Sequence, residues 1–339
     1  MLYVSRFMIL EHQKQKRLLR AMVVSHRIPH ALLFSGKKGV GKEQIAIKFI
    51  KLINCNNKDA DGRPCEKCAV CRGVDALLHP DLLIINNQLQ EIQIDQIRDL
   101  TSRFSLKPSQ FLLKSAIING AHLMNLQAQA ALLKTLEEPK GHAIMILITD
   151  QPEMLLPTIR SRTQHIKFGR FSRQTIKQYL LSNGLTKNKA EIASLLSDGR
   201  LNTALNFASN QEIFDKSVKY LNDLTNLMGE KSTTSDFFQY IKHLNDQLKI
   251  DSKNKETGQG SVVWKDLLEA WLLYLRELLL FKLGVGSVLE NNVGMLKTSN
   301  KYSVEKLIKI INTIQNMLSI MVKTSINYRF AFEIVALDF

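Results

Sequence analysis

Eight residues near the start of the chain have the composition of a phosphate-binding loop. Residues 36–43 read GKKGVGKE, which matches the pattern G-x-x-x-x-G-K through its seventh position. The glycines of such a loop, here Gly36, Gly39 and Gly41, allow consecutive backbone N–H groups to face a phosphate, and its lysine, here Lys42, reaches the terminal phosphates. An apolar run, ALLFS, precedes the loop and a helical pattern follows it. We therefore interpret the segment as a nucleotide-binding loop rather than a chance glycine-rich turn.

Two positions that should bind magnesium and activate water carry other side chains. The eighth loop residue is normally Ser or Thr, whose hydroxyl binds the magnesium ion, but here it is Glu43. An acidic pair should end a later buried strand, but the run SAIIN ends at Asn119 and continues with Gly120. His122 could be mistaken for a replacement base, but it lies beyond the expected pair, and we interpret it as a surface or packing residue. We expect little ATP hydrolysis by the chain alone, and whether Lys42 still permits nucleotide binding stays open.

All four cysteines lie in one short segment with metal-ligand spacing. Cys55, Cys65, Cys68 and Cys71 follow the pattern C-x9-C-x2-C-x2-C. Two-residue gaps allow thiolates to converge on one tetrahedral zinc ion, and four thiolates close its coordination shell, so we predict one structural zinc per chain at about residues 55–72. Four reduced cysteines without metal, or a redox pair, are the alternatives. The basic residues of the segment could touch DNA or form a solvated face: Lys58, Arg63, Lys67 and Arg72.

Composition and charge favour a globular protein with an anionic partner. The chain has 339 residues, of which 45% are hydrophobic, and this excludes a disordered or fibrous protein and indicates more than one domain. Lys and Arg number 46 against 31 Asp and Glu, giving a net charge of +15, which suits a polyanion such as nucleic acid. Charged residues interrupt both the initial MLYVSRFMIL and the apolar stretch from Leu267, so neither is a targeting signal or a membrane span. We expect a soluble, cytoplasmic protein without a membrane partner.

The apolar pattern divides the chain into an α/β part and a helical part. Short apolar runs predict strands at 31–35, 81–85, 115–119 and 143–149, with helical patterns between them at 43–53, 91–106 and 125–139. This alternation predicts a parallel sheet covered on both faces. Beyond about residue 168 helices are predicted over 171–208, 211–250, 262–284 and 303–335, with a loop at 255–261. Trp264 and Trp271, seven residues apart, should share one packing face of a helix.

Several motifs together resemble the AAA+ clamp-loader subunits of bacterial DNA polymerase III. They are RIPHALLFSGKKGVGKE (27–43), HPDL (79–82), IDQIRDL (94–100), AALLKTLEEP (130–139) and PTIRSRTQHIKF (157–168). The resemblance covers about the first 170 residues, and beyond them only the helical character matches. It implies an AAA+ α/β domain, with a P-loop NTPase-like parallel sheet and a zinc module, over residues 1–168. It also implies a small all-α lid domain over 169–208 and an all-α collar domain for oligomerisation over 209–339.

Within this family the chain resembles the stationary subunit that has lost its own ATPase. The gamma or tau motor subunits have an intact loop, an acidic pair and a sensor-2 arginine, where this chain has Glu43, Asn119 with Gly120, and Asn202. Arg200 could act in a shifted role. The resemblance implies loading of the sliding clamp onto primed DNA within a ring that also contains gamma or tau and delta, and it leaves ATP doubtful as a cofactor. A divergent active clamp-loader ATPase and a zinc-containing DNA-binding module are the alternatives.

The resemblance also implies roles for an arginine and for two glutamates. The sequence SRT at 161–163 resembles the family's Ser-Arg-Cys motif, whose arginine completes the ATP site of a neighbouring subunit. A guanidinium supplied in trans neutralises charge that develops on the transferred phosphoryl group. Arg162 is therefore the expected trans finger, with Arg160 as the adjacent alternative. Glu137 and Glu138 belong to a family signature near a helix C-terminus, an unfavourable place for carboxylates, where an interface or switch role is plausible.

Overall fold

The computed structural model describes residues 12–59, 62–86, 90–139, 142–229, 231–254, 259–285, 300–323 and 328–339. These residues form two compact units: Met1–Ser172 with Gly199–Thr203, and Arg173–Asp198 with Ala204–Phe339. The initial MLYVSRFMIL, for which we predict no targeting role, lies outside the described residues. Among the helices that the structure describes, none is long and apolar enough to cross a bilayer.

Five parallel strands form one sheet in the first unit. In chain order they are β1 (Ala31–Ser35), β2 (Leu82–Asn86), β3 (Lys114–Asn119), β4 (Ala143–Thr149) and β5 (Gln164–Lys167). Their spatial order is β2-β3-β4-β1-β5, and all neighbouring pairs are parallel. The four predicted strands are confirmed, with β2 displaced by one residue. The fifth strand is absent from the predictions because only Ile166 of its four residues is buried, so no apolar run results.

Helices cover both faces of this sheet. They are α1 (Gln13–Val24), α2 (Lys42–Asn54), α3 (Ala69–Asp75), α4 (Ile94–Phe104), α5 (Leu126–Glu137) and the short α6 (Pro157–Ser161). Phe34 of β1 packs in a core cluster with Phe49 of α2, whereas the preceding Leu33 packs in a second cluster with Leu132 of α5. Successive strand residues point to opposite faces, so both faces of β1 are buried. The prediction of a parallel sheet covered on both faces is confirmed.

The rest of the described chain is helical. The helices are α7 (Arg173–Ser182), α8 (Lys187–Leu196), α9 (Leu201–Ser209), α10 (Gln211–Leu227), α11 (Thr234–Asn254), α12 (Gln259–Lys282), α13 (Val304–Lys323) and α14 (Tyr328–Leu337). The loop predicted at 255–261 is wrong over its last three residues, because α12 already begins at Gln259, and residues 255–258 lie outside the described part. The separation of a lid at 169–208 from a collar at 209–339 stays a prediction.

Aromatic side chains form much of the core of the second unit. Trp264 and Trp271 of α12 are 4% and 0% exposed. Their ring centroids lie 4.6 Å and 5.7 Å from that of Phe332 on α14. The predicted common packing face of the two tryptophans is therefore confirmed. Arg173 of α7 adds an ion pair to Glu277 of α12, with 3.2 Å between nitrogen and oxygen.

Candidate functional site

The residues of the phosphate loop lie at the carboxyl edge of the sheet, between β1 and α2. Gly36, Gly39 and Gly41 have φ angles of 145°, 86° and 94°, a backbone conformation that side-chain-bearing residues rarely adopt. A Cβ atom on Gly36 would lie 2.2 Å from the carbonyl oxygen of Phe168, so glycine is required there. Gly41 precedes the first residue of α2, whose N-terminus carries partial positive charge. The segment thus has the strand, glycine loop and helix that phosphate binding needs.

Lys42 is buried, and its ammonium group donates hydrogen bonds within the loop itself. Nζ donates to the carbonyl oxygen of Gly36 and to that of Lys37, the second at 2.9 Å. Burial lowers the pKa of Lys42 to about 8, and the nearby Asp150 carboxylate opposes this lowering. The cation that should reach the terminal phosphates is therefore held by loop carbonyls.

The two residues that depart from the motor pattern contact each other. Asn119 Nδ2 donates to Glu43 Oε2 at 3.1 Å and to Asn86 Oδ1 at 3.1 Å. Parallel strands β2 and β3 end side by side, with Asn86 opposite Asn119, so residues distant in sequence meet at one edge of the sheet. Burial raises the pKa of Glu43, and the hydrogen bond from Asn119 opposes the increase. A carboxylate–amide network therefore occupies the loop position that would bind magnesium in a motor subunit.

His122 contacts the end of β4 rather than this network. Its Nδ1 lies 3.1 Å from Thr149 Oγ1 and 3.3 Å from an Asp150 carboxylate oxygen. Burial lowers the pKa of His122, which favours the neutral imidazole. The contacts fit a packing residue. The sequence analysis missed Thr149 and Asp150, although their position directly at the end of a buried strand is a signal that could have identified them.

Residues Gly199–Thr203 lie against the phosphate loop. The backbone N–H of Asn202 donates to the carbonyl oxygen of Gly39 at 3.0 Å. A Cβ atom on Gly39 would lie 3.4 Å from the Cβ of Arg200, so the start of this arginine side chain passes next to the loop. Asn202 thus touches the loop through its backbone, and a role of Arg200 in place of a sensor-2 arginine stays a prediction.

Arg162 follows the last residue of α6, and its guanidinium has two partners in its own subunit. Nη1 donates to the carbonyl oxygen of Thr158 at 3.2 Å, and Nη2 lies 3.0 Å from Glu137 Oε1. The Arg162 side chain is 38% exposed. Arg160 is also exposed. The pKa of His165 is lowered mainly by burial and further by the positive charges of Lys167 and Arg160. The structure thus connects the SRT motif to the glutamate signature, a contact that the sequence analysis did not identify.

A buried glutamine positions the segment that leads into α6. Gln129 of α5 donates through Nε2 to the carbonyl oxygens of Met124 at 3.0 Å and Met154 at 3.3 Å. Its Oε1 accepts a hydrogen bond from the backbone N–H of Leu156 at 2.8 Å. At the other end of α6, the buried Thr163 Oγ1 donates to an α6 carbonyl at 3.0 Å. The backbone that carries Arg162 is therefore fixed on both sides of α6. The sequence analysis did not identify Gln129, because a single glutamine within a helical pattern gives no signal that it positions a neighbouring segment.

The four cysteines converge in space. Their sulfur atoms all lie within 4.8 Å of one another, with Cys55 Sγ 3.6 Å from Cys65 Sγ and 3.9 Å from Cys68 Sγ. Thiolates about 2.3 Å from a tetrahedral zinc ion stand about 3.8 Å apart, so the separations fit zinc. Backbone N–H groups of Lys67 and Cys68 lower the pKa of Cys65 to about 6, and the N–H of Cys71 donates to Cys68 Sγ at 3.4 Å. This environment favours the thiolate form of Cys65, whereas burial raises the pKa of Cys71.

A buried lysine connects the cysteine segment to the helix that follows the phosphate loop. Lys51 of α2 is 3% exposed, and its ammonium group donates to Glu66 of the cysteine segment and, at 2.7 Å, to Asp75 of α3. Although burial opposes it, these hydrogen bonds raise the pKa of Lys51. The ion pairs compensate the buried charge and fix the cysteine segment against α2.

Comparison with known proteins identifies subunits of DNA polymerase III as relatives. Residues 11–172 match the family described as DNA polymerase III, delta subunit. The chain is 31% identical over 281 residues to DNA polymerase III subunit tau of Bacillus subtilis, covering 79% of this chain and 48% of that protein. It is 32% identical over 205 residues to subunit delta' of the same organism, covering 60% and 61%. The chain thus spans about half to three fifths of the length of these two curated relatives.

The chain is also similar to a solved structure. It is a DNA polymerase III gamma subunit-related protein from Thermotoga maritima, with 18% identity, a TM-score of 0.48, and coverage of 96% of this chain and 97% of that chain. The family match itself includes the phosphate loop, the cysteine cluster and both members of the Glu137–Arg162 pair. Residues 11–172, which include the sheet and the phosphate loop, are thus similar to the DNA polymerase III, delta subunit family and to subunit delta' of Bacillus subtilis.

Proposed function

We propose that this chain is the non-hydrolysing delta'-type subunit of a clamp loader and that it supplies Arg162 to the ATP site of a neighbouring gamma- or tau-type subunit. The complex would also contain delta and would place the sliding clamp on primed DNA during replication. Its collar would be formed by residues 209–339, and the chain would have no catalytic activity alone. The observation that carries the proposal is the hydrogen bond between Glu43 and Asn119.

This contact opposes hydrolysis at the chain's own phosphate loop. Phosphoryl transfer needs a magnesium ion held by a loop hydroxyl and by an acidic residue at the end of a later strand. Glu43 replaces the hydroxyl, and the Asn119 amide is uncharged and cannot act as a general base. A nucleotide phosphate would also have to compete with the loop carbonyls for the Lys42 ammonium group. We infer that ATP turnover depends on the loops of the neighbouring subunits.

Arg162 has the properties of a residue that acts on a neighbouring site. It follows a short helix whose position is fixed by buried hydrogen bonds, and its side chain is partly exposed. The two described contacts use two of the five N–H donors that a guanidinium carries. Arginine fingers of this kind increase hydrolysis by about 10³ to 10⁵ in other NTPases.

ATP hydrolysis by the reconstituted complex, with clamp and primed DNA present, tests the proposal. Arg162→Ala should lower turnover by more than about 10-fold, in line with the contribution of arginine fingers elsewhere, while gel filtration still shows an assembled complex. Arg160→Ala is the matched control, and it should retain turnover because its guanidinium lies outside the Glu137 contact. Unchanged turnover in the Arg162→Ala complex would contradict the finger role. Hydrolysis by the purified chain alone would instead favour a divergent active ATPase.

We further propose that Cys55, Cys65, Cys68 and Cys71 bind one structural zinc ion. Four thiolates leave no open coordination position, so the ion would stabilise the fold rather than take part in catalysis. Metal analysis of the purified chain should find about one zinc per chain. Cys68→Ser should lower both the zinc content and the unfolding temperature, because the metal contributes free energy of folding. A folded chain without metal, equal in stability to the same chain with zinc, would exclude this site.

A further inference from the structure

Glu137 occupies a position that is electrostatically unfavourable for a carboxylate. It is the last residue of α5, where the helix C-terminus carries partial negative charge, and a second acidic residue, Glu138, follows it directly. Its ion-pair partner is Arg162, with 3.0 Å between Oε1 and Nη2. The residue expected to act on the neighbouring subunit is therefore the same residue that compensates Glu137.

The geometry of this ion pair orients the guanidinium without enclosing it. The contact between the two side chains joins Glu137 Oε1 to Arg162 Nη2 at 3.0 Å. Nη1 donates to the Thr158 carbonyl, so the contacts lie on the side that faces α5 and α6. The Arg162 and Glu137 side chains are 38% and 49% exposed, so the pair lies at the surface of the unit.

We propose that Glu137 is a positioning residue for Arg162, holding its guanidinium in one orientation at the subunit surface before the neighbouring subunit docks. The inference rests on the proposed role of Arg162 in trans. Immobilising an arginine side chain costs conformational entropy. A guanidinium that is already ordered loses less conformational entropy when the transition state forms, so the reaction is faster. A planar guanidinium can keep its carboxylate partner on one edge while a phosphoryl oxygen binds on the other.

The reconstituted complex provides the test through turnover at saturating ATP. Glu137→Ala should lower kcat by about 3- to 10-fold while KM for ATP stays unchanged, because the finger acts on the transition state rather than on nucleotide binding. Glu137→Gln should recover much of the loss, since it keeps an oxygen atom at the position that lies 3.0 Å from Nη2. Glu138→Ala is the matched control and should behave like the wild type. Assembly and melting temperature should be the same for all four proteins.

The double variant separates this inference from the proposed function. With Arg162→Ala already present, Glu137→Ala should lower kcat no further, because the residue that it positions is gone. If Arg162→Ala alone leaves turnover unchanged, the finger role fails and this inference fails with it. Two results would overturn only the positioning role, provided that Arg162→Ala lowers kcat. One is an unchanged or increased kcat in the single variant Glu137→Ala. The other is a kcat in the double variant below that of Arg162→Ala alone.

Discussion

Asn119→Asp is expected to destabilise the α/β unit, because it places two carboxylates in contact at the phosphate loop. In the structure Asn119 Nδ2 donates to Glu43 Oε2 at 3.1 Å. The substitution replaces this donor with an anionic oxygen and removes the hydrogen bond. An acidic residue at position 119 is therefore unfavourable next to glutamate at position 43.

The expected loss follows from the distance between the two groups. Two unit charges 3.1 Å apart repel each other by about 1 kcal/mol in bulk water and by about 5 kcal/mol at an effective dielectric constant of 20. Both side chains are half-buried, so the repulsion lies between these limits, and loss of a hydrogen bond to a charged acceptor adds about 1.5 kcal/mol. We expect the free energy of unfolding to fall by about 3 kcal/mol at pH 7. The melting temperature should fall by roughly 6 to 12 °C.

This destabilisation should depend on pH. Burial already raises the pKa of Glu43, and a second carboxylate in contact raises the apparent pKa of the pair further. A carboxyl group whose pKa is higher in the folded than in the unfolded state destabilises the fold once both states are deprotonated. The loss in Asn119→Asp is therefore complete at pH 7 and decreases as the pH falls towards 4, where the folded pair retains a proton.

Urea denaturation of the purified chain at pH 7 and pH 5 measures the effect. The control is the double variant Glu43→Gln with Asn119→Asp, in which an amide again faces a carboxylate and most of the stability should return. An Asn119→Asp chain as stable as the wild type at pH 7 would refute the contact. Equal losses in the single and double variants would show that the effect arises at position 119 without Glu43.

Two further predictions concern buried features of the same unit. Asp81 is 2% exposed and accepts hydrogen bonds from the backbone N–H groups of Ser109, Gln110 and Phe111, which lower its pKa although burial opposes this. Asp81→Asn should therefore lower the free energy of unfolding by about 2 kcal/mol at pH 7. Denaturation at several pH values should show this difference from the wild type disappearing as the pH falls below about 4, because Asp81 becomes protonated as the pH falls through its lowered pKa. Gly36→Ala should lower the melting temperature well below that of the control Gly169→Ala, because a Cβ at Gly36 would lie 2.2 Å from a carbonyl oxygen and one at Gly169 would meet nothing within 4 Å. Equal melting temperatures for these two variants would contradict the close approach at Gly36.

The strands that read as apolar runs were predictable from the sequence, and β5, one of the two edge strands, was not. β1 and β4 read as the continuous apolar runs ALLFS and AIMILIT, since each has neighbours on both sides and helices above and below. β5 reads QHIK, and only Ile166 is buried. Its pairing with β1 is a backbone property that leaves no hydrophobic pattern.

In the candidate site, features formed by residues near each other in the sequence were predictable, and contacts between distant residues were not. The phosphate loop and the cysteine cluster were predictable, because the spacing of neighbouring residues along the chain already restricts their geometry. The bond between Glu43 and Asn119 and the pair of Glu137 with Arg162 were not, because each joins separate elements. The sequence shows an unusual residue at each position, but the pairing of one with another depends on strand order and helix placement.

The strand order also has a consequence for how the chain folds during synthesis. β1 lies between β4 and β5, with Ala31 opposite Met145 and Leu32 opposite Gln164, so the first strand to leave the ribosome pairs with the last two. At about 5 to 20 residues per second, β1 waits roughly 6 s or longer for its partners. Pairing between such distant segments is intrinsically slow, and an unpaired apolar strand is prone to aggregate in the meantime. The ALLFS segment is therefore expected to need protection from aggregation until β4 has been synthesised.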